Sequence, residues 1–72
     1  MDERIIVSVN GTPVSIFRGM KVKHALVAYD QSVFTSCERG ELAVEDGNGF
    51  RVGLDGALSD GEVIFTKPAG RL

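Results

Sequence analysis

The chain has 72 residues, one cysteine, a net charge of −2 and 25% charged residues. That length allows one domain with a small core, and a lone cysteine rules out an internal disulfide. The weak acidic balance argues against nucleic acid, which calls for a strong basic excess. No apolar run approaches the length of a membrane span, and no basic start leads into an apolar stretch. No Cys/His cluster at ligand spacing is present, so neither a metal nor a cofactor is expected. A free cysteine without an export signal points to a reducing, cytoplasmic compartment.

Residues 4–10 read as a strand, with Ile5, Val7 and Val9 on one face and Ile6 and Ser8 on the other. Asn10-Gly11 is a strong hairpin signal, because both residues tolerate positive φ. Pro13 cannot donate a ladder bond and belongs at the start of the returning strand. Val14 and Ile16 then face the core, Ser15 and Phe17 lie opposite, and Gly19 ends the strand.

The period changes over residues 21–29. Val22, Ala25, Leu26 and Tyr29 form one helical stripe, with Lys21, Lys23 and His24 on the other side. Asp30 suits an N-cap for a second short helix over 31–39, in which Val33, Phe34 and Cys37 share a face and Gly40 follows as the C′ residue. An irregular loop with one extended piece at Val33-Phe34 is the alternative. Leu42 and Val44 begin a third strand, and Asp46-Gly47-Asn48-Gly49 is dense turn chemistry. Phe50, Val52 and Leu54 alternate on the return. Asp55-Gly56 and Asp60-Gly61 frame a short connection, then Val63 to Lys67 forms the last strand before Pro68.

This order predicts an α+β domain over residues 1–72: a mixed sheet of four to five strands, one main helix and the second short helix. The expected core is Ile5, Val7, Val9, Val14, Ile16, Val22, Leu26, Tyr29, Phe34, Leu42, Val44, Val52, Leu58, Val63 and Phe65.

Three segments carry a resemblance: Val7-Ser8-Val9-Asn10-Gly11 opening a hairpin, Gly19-Met20-Lys21-Val22-Lys23 entering the helix, and Leu58-Ser59-Asp60-Gly61-Glu62-Val63-Ile64 leading into the last strand. With them the chain resembles the β-grasp (ubiquitin-like) fold, and within it the bacterial sulfur-carrier proteins of thiamin and molybdopterin synthesis. Similar patterns occur in soluble-ligand-binding β-grasp domains and in plant-type ferredoxins. The likeness covers nearly the whole chain as topology, and its short turn motifs specify fold better than function. Sulfur carriers end in Gly-Gly, whose carboxylate becomes a thiocarboxylate; this chain ends Gly70-Arg71-Leu72. The ferredoxin branch fails, because one cysteine cannot supply the four thiolates of an iron–sulfur cluster.

Candidate chemistry is sparse. Cys37 reads as a small buried hydrophobe rather than a nucleophile. His24 sits among lysines with no partner identifiable from sequence, so a solvated side chain is expected. Gly47-x-Gly49 with Gly53 precedes a strand and lacks the helix N-terminus that phosphate binding uses. Asp46, Asp55 and Asp60 occupy turn positions, where local hydrogen bonding favours Asp over cation binding. No catalytic residue is assigned and no enzyme activity is expected.

The sheet's outer face is the remaining feature. With Val7, Val14 and Phe65 turned to the helix, alternation places Ile6, Phe17 and Ile64 on the opposite face, as a partner-binding patch. A register shift of one residue, or cover by residues 31–40, is the alternative. The expected function is a non-catalytic ubiquitin-like interaction or regulatory module binding a protein partner, with the Pro-Ala-Gly tail suited to begin a linker in a longer polypeptide. A carrier or modifier activated at a processed Gly70 terminus is the alternative. A small-ligand domain comes third, since the core looks too small for a sizeable cavity.

Overall fold

The computed structural model describes residues 3–69. Seven elements follow in chain order: β1 (Arg4–Val9), β2 (Thr12–Phe17), α1 (Val22–Tyr29), α2 (Gln31–Glu38), β3 (Leu42–Asp46), β4 (Arg51–Val52) and β5 (Val63–Pro68). They form an α+β unit with a mixed five-stranded sheet in the order β2-β1-β5-β3-β4. β1 pairs antiparallel with β2 and parallel with β5, and β3 pairs antiparallel with both β5 and β4. The short connection between β1 and β2 is a tight turn with Asn10 at φ 52 and Gly11 at φ 84, the two left-handed residues that let paired strands keep their twist.

The N-cap residue of the first helix, Lys21, offers no side-chain oxygen to the free N–H groups of the first turn. A distant loop supplies the acceptors: Val22 N–H donates to the Gly56 carbonyl and Lys23 N–H to the Leu54 carbonyl, both at 2.9 Å. Two otherwise orphaned donors of the first turn are thereby satisfied. The approach is close at Gly56, where a Cβ would lie 3.1 Å from the Gly53 carbonyl oxygen and 3.6 Å from Val22 Cγ2. Lys23 also pairs with Asp55 across the same junction, at 3.0 Å.

Asp30 separates the helices. Its extended backbone (φ −169, ψ 115) interrupts α1, and its carboxylate accepts from the Ser32 N–H at 3.0 Å and the Ser32 hydroxyl at 2.7 Å. These bonds hold the Asp30 carboxyl below its ordinary range. Residues 31–38 are thus helical, and the loop alternative is set aside. Gly40 follows at φ 81. The returning strand after the Asp46–Gly49 turn is shorter than its alternation suggests, covering only Arg51 and Val52.

Helix α1 packs on β1 and β2, and α2 on β3 and α1. The core between the layers consists of Ile5, Val7, Val9, Val14, Ile16, Val22, Ala25, Leu26, Val44, Leu58 and Ile64. Tyr29, Phe34 and Val52 lie partly buried against it.

Strand β5 corrects the expected pattern. Val63 and Phe65 were expected in the core and Ile64 outside; Ile64 is 1% exposed, and Val63 and Phe65 are both 37% exposed. The parallel register explains the reversal. Val9, fully buried, stands beside Ile64, and Ser8 stands beside Val63. Neighbours in register share a face, so Ile64 follows Val9 inward. Two bonds lock this register: Gly61 N–H donates to the Ile6 carbonyl, and Ile6 N–H donates to the Asp60 carboxylate, each at 2.8 Å.

Candidate interaction surface

The sheet face turned away from the helices carries four exposed large apolar side chains. Ile6 is 48% and Phe17 50% exposed, and Val63 and Phe65 join them. Ser8 lies beside Val63 in register, so Ile6 and Val63 are diagonal neighbours on adjacent strands. Phe65 follows two residues along β5, opposite Glu45 of β3. Of the three side chains expected to form the patch, Ile6 and Phe17 are exposed, while Ile64 is a core residue replaced by Val63 and Phe65. Residues 31–40 do not cover the patch, because α2 packs against β3 on the helix side.

Charged groups ring these apolar positions. The Arg4 guanidinium stands 5.2 Å from the Phe17 ring centroid, opposite it in the β1–β2 register. Lys67 pairs with Glu45 at 3.1 Å, and Arg51 stands opposite Glu45 from β4. The arrangement is an apolar centre with a polar margin, the anatomy of many protein-binding surfaces. Phe17 lies at the lateral limit of this face. It also borders a cleft of about 310 Å³ between β2 and α1, lined with Ile16, Met20, His24 and Val27 among others.

The other candidates have local roles. His24 has a partner after all: its Nδ1 accepts the Lys21 N–H at 2.9 Å, helping to close the start of α1. Sequence separation of three was the only available hint. Asp46 accepts from the Asn48 and Phe50 N–H groups at 2.9 and 3.0 Å and so builds its turn, as expected. Asp55 and Asp60 act over longer range, on Lys23 and on the Ile6 backbone. Lys23, with Lys21 and His24 further off, holds the Asp55 carboxyl below its ordinary range. Among the described residues no group of His, Cys, Asp and Glu could hold a metal ion. No described helix is long and apolar enough to cross a membrane.

Cys37 is half-buried and lines a second cleft of about 260 Å³ with Leu42, Val44, Val52 and Leu54 among its walls. Desolvation raises the thiol above its ordinary range. Little thiolate therefore forms at neutral pH. Cys37 is expected to react with iodoacetamide several-fold more slowly in the native protein than in urea, where it titrates normally. Equal rates in the two states, measured by mass, would contradict this protected position.

Gly70, the expected carrier terminus, lies outside the described residues. The chain matches no protein-family model, no curated protein and no solved structure.

Proposed function

We propose that this chain is a β-grasp, ubiquitin-like interaction or regulatory module, without catalysis of its own, that binds a protein partner through its outer sheet face. The strand order β2-β1-β5-β3-β4, with the first and last strands parallel at its centre, supports the β-grasp assignment. The single observation behind the functional reading is the apolar group Ile6, Val63 and Phe65 on a face that no described element covers. A small domain keeps such side chains in water at a cost in solubility, and burial against a partner recovers that cost. The double variant Ile6→Ser/Phe65→Ser tests this. It is expected to keep the circular dichroism spectrum of the wild type and to lose the partner that the wild type retains from its own cells. Full retention of every partner by a folded double variant would refute the reading.

The carrier reading stands second. In its favour, the central strand β5 runs to Pro68, and the Ala69 N–H donates to the Glu41 carbonyl at 3.1 Å. The fold thus delivers the residue before Gly70 from the middle of the sheet. Intact mass of the protein from its own cells discriminates: a chain ending at Gly70, with sulfur in place of oxygen, supports a carrier, and one ending at Leu72 removes it.

A further inference from the structure

We propose that β2 is a self-pairing edge, through which two copies of this chain join their sheets antiparallel about a two-fold axis at Ser15. The argument starts from which backbone groups of β2 point outward. Ser8 and Asn10 donate their N–H groups towards β5, to the Glu62 and Ile64 carbonyls, and Ile6 donates the same way to Asp60. Alternation then turns the backbone groups of Ile5, Val7 and Val9 to β2, where they meet Ile16, Val14 and Thr12. The backbone groups of Pro13, Ser15 and Phe17 face away from the sheet. β2 is the terminal strand of the sheet order, so no other described strand meets them.

This outward row is self-complementary in one register. Pro13 has no N–H to donate, and the Phe17 carbonyl is already occupied by the Met20 N–H at 3.0 Å. Placing Ser15 opposite Ser15 of the second copy sets Pro13 opposite Phe17 of the second copy. Each Ser15 N–H then meets a Ser15 carbonyl, and each Phe17 N–H meets a Pro13 carbonyl. The one missing donor faces the one occupied acceptor. Sliding the pair by two residues in either direction leaves a free group facing proline or a carbonyl already in use.

Charge and surface agree with this occupant. Edge strands are usually blunted by charged side chains or proline; Thr12–Phe17 carries no charge, and its one proline, Pro13, falls where the two-fold register calls for no donor. The side chains brought together are Ser15 on Ser15 and Phe17 on Pro13, with no like charges opposed. A two-fold axis perpendicular to the sheet also puts both α1 helices on the same side. Val27, 44% exposed, and the β2–α1 cleft would then be covered by the second copy. The two outer faces would stand side by side, leaving the surface discussed above free.

Sedimentation equilibrium over a wide concentration range tests the proposal, with Ser15→Lys as the disrupting variant. Ser15 is exposed and its N–H lies outside the β1–β2 ladder, so the hairpin is retained. The wild type is expected to show a reversible monomer–dimer equilibrium, and Ser15→Lys to weaken it about tenfold or more. Register is read by cross-linking in a Cys37→Ser background. Hydrogen-bonded antiparallel partners have Cα atoms about 5.5 Å apart, inside the range a disulfide spans. Ser15→Cys should therefore oxidise to a covalent dimer, and Pro13→Cys, displaced from its own copy, should not. A wild type that stays monomeric throughout overturns the proposal and leaves the edge to a strand of another protein. A dimer indifferent to Ser15→Lys, or cross-linked equally well through Pro13→Cys, overturns it too. Should Ser15→Lys fail to fold, the two cysteine variants decide.

Discussion

Replacing Ile64 with alanine is expected to remove a large share of the stability of this domain, while Phe65→Ala costs clearly less. Ile64 is 1% exposed and sits in the core beside Val9. Truncating a buried isoleucine costs about 2–5 kcal/mol, the lost transfer energy plus the cavity left behind. A chain of this length has only about 4–11 kcal/mol to lose. Phe65 faces outward at 37% exposed, with no enclosed cavity left behind, so its loss costs about 1–2 kcal/mol. Urea titration of both variants measures the contrast. Equal or reversed midpoint shifts would mean that β5 is displaced by one residue, which would also dismantle the outer patch. The experiment therefore tests the fold and the premise of the functional proposal together.

The second large effect belongs to Asn10. Its backbone is left-handed at φ 52, and its side chain reaches across to the last strand. Oδ1 accepts the Thr66 N–H and Nδ2 donates to the Thr66 hydroxyl, both at 2.9 Å. Asn10→Ala loses both bonds, each worth about 1 kcal/mol net, and places a Cβ-bearing residue without a compensating side chain in the left-handed region at about 1–2 kcal/mol. The expected total is about 3–4 kcal/mol, or roughly 12–32 °C in melting temperature for a domain of this size. Asn10→Gly separates the contributions, since glycine takes the conformation freely and lacks only the side-chain bonds. It should recover part of the loss. Identical melting temperatures for the two variants would show that the side-chain bonds carry the whole effect.

The outer face illustrates how a local reading succeeds and fails on one surface. Ile6 was legible because β1 alternates cleanly: Ile5, Val7 and Val9 inward, Ile6 and Ser8 outward. Phe17 was legible for the same reason, from Val14 and Ile16. Val63-Ile64-Phe65 is a run of three apolar residues with no polar alternate, so period two has nothing to lock onto. Period two alone therefore puts Ile64 outside and its neighbours inside. The pairing with β1 resolves it, and that pairing depends on contacts between residues 54 positions apart in the chain, such as Ile6 to Asp60.

The same division runs through the rest of the molecule. The sequence alone determined the Asn10-Gly11 hairpin, the Val22–Tyr29 stripe, the Asp30 break and the Asp46 turn. Each is set by φ preferences or by bonds within a few residues, and such short-range chemistry is written in neighbouring letters. Tertiary structure alone decided the face of β5, the closing of α1 by the Leu54 and Gly56 carbonyls, the anchoring of Asn10 on Thr66, and the position of β2 at the open edge of the sheet. Those features are pairings between distant segments. Their identity rests on which strand lies beside which, and no local propensity encodes that choice.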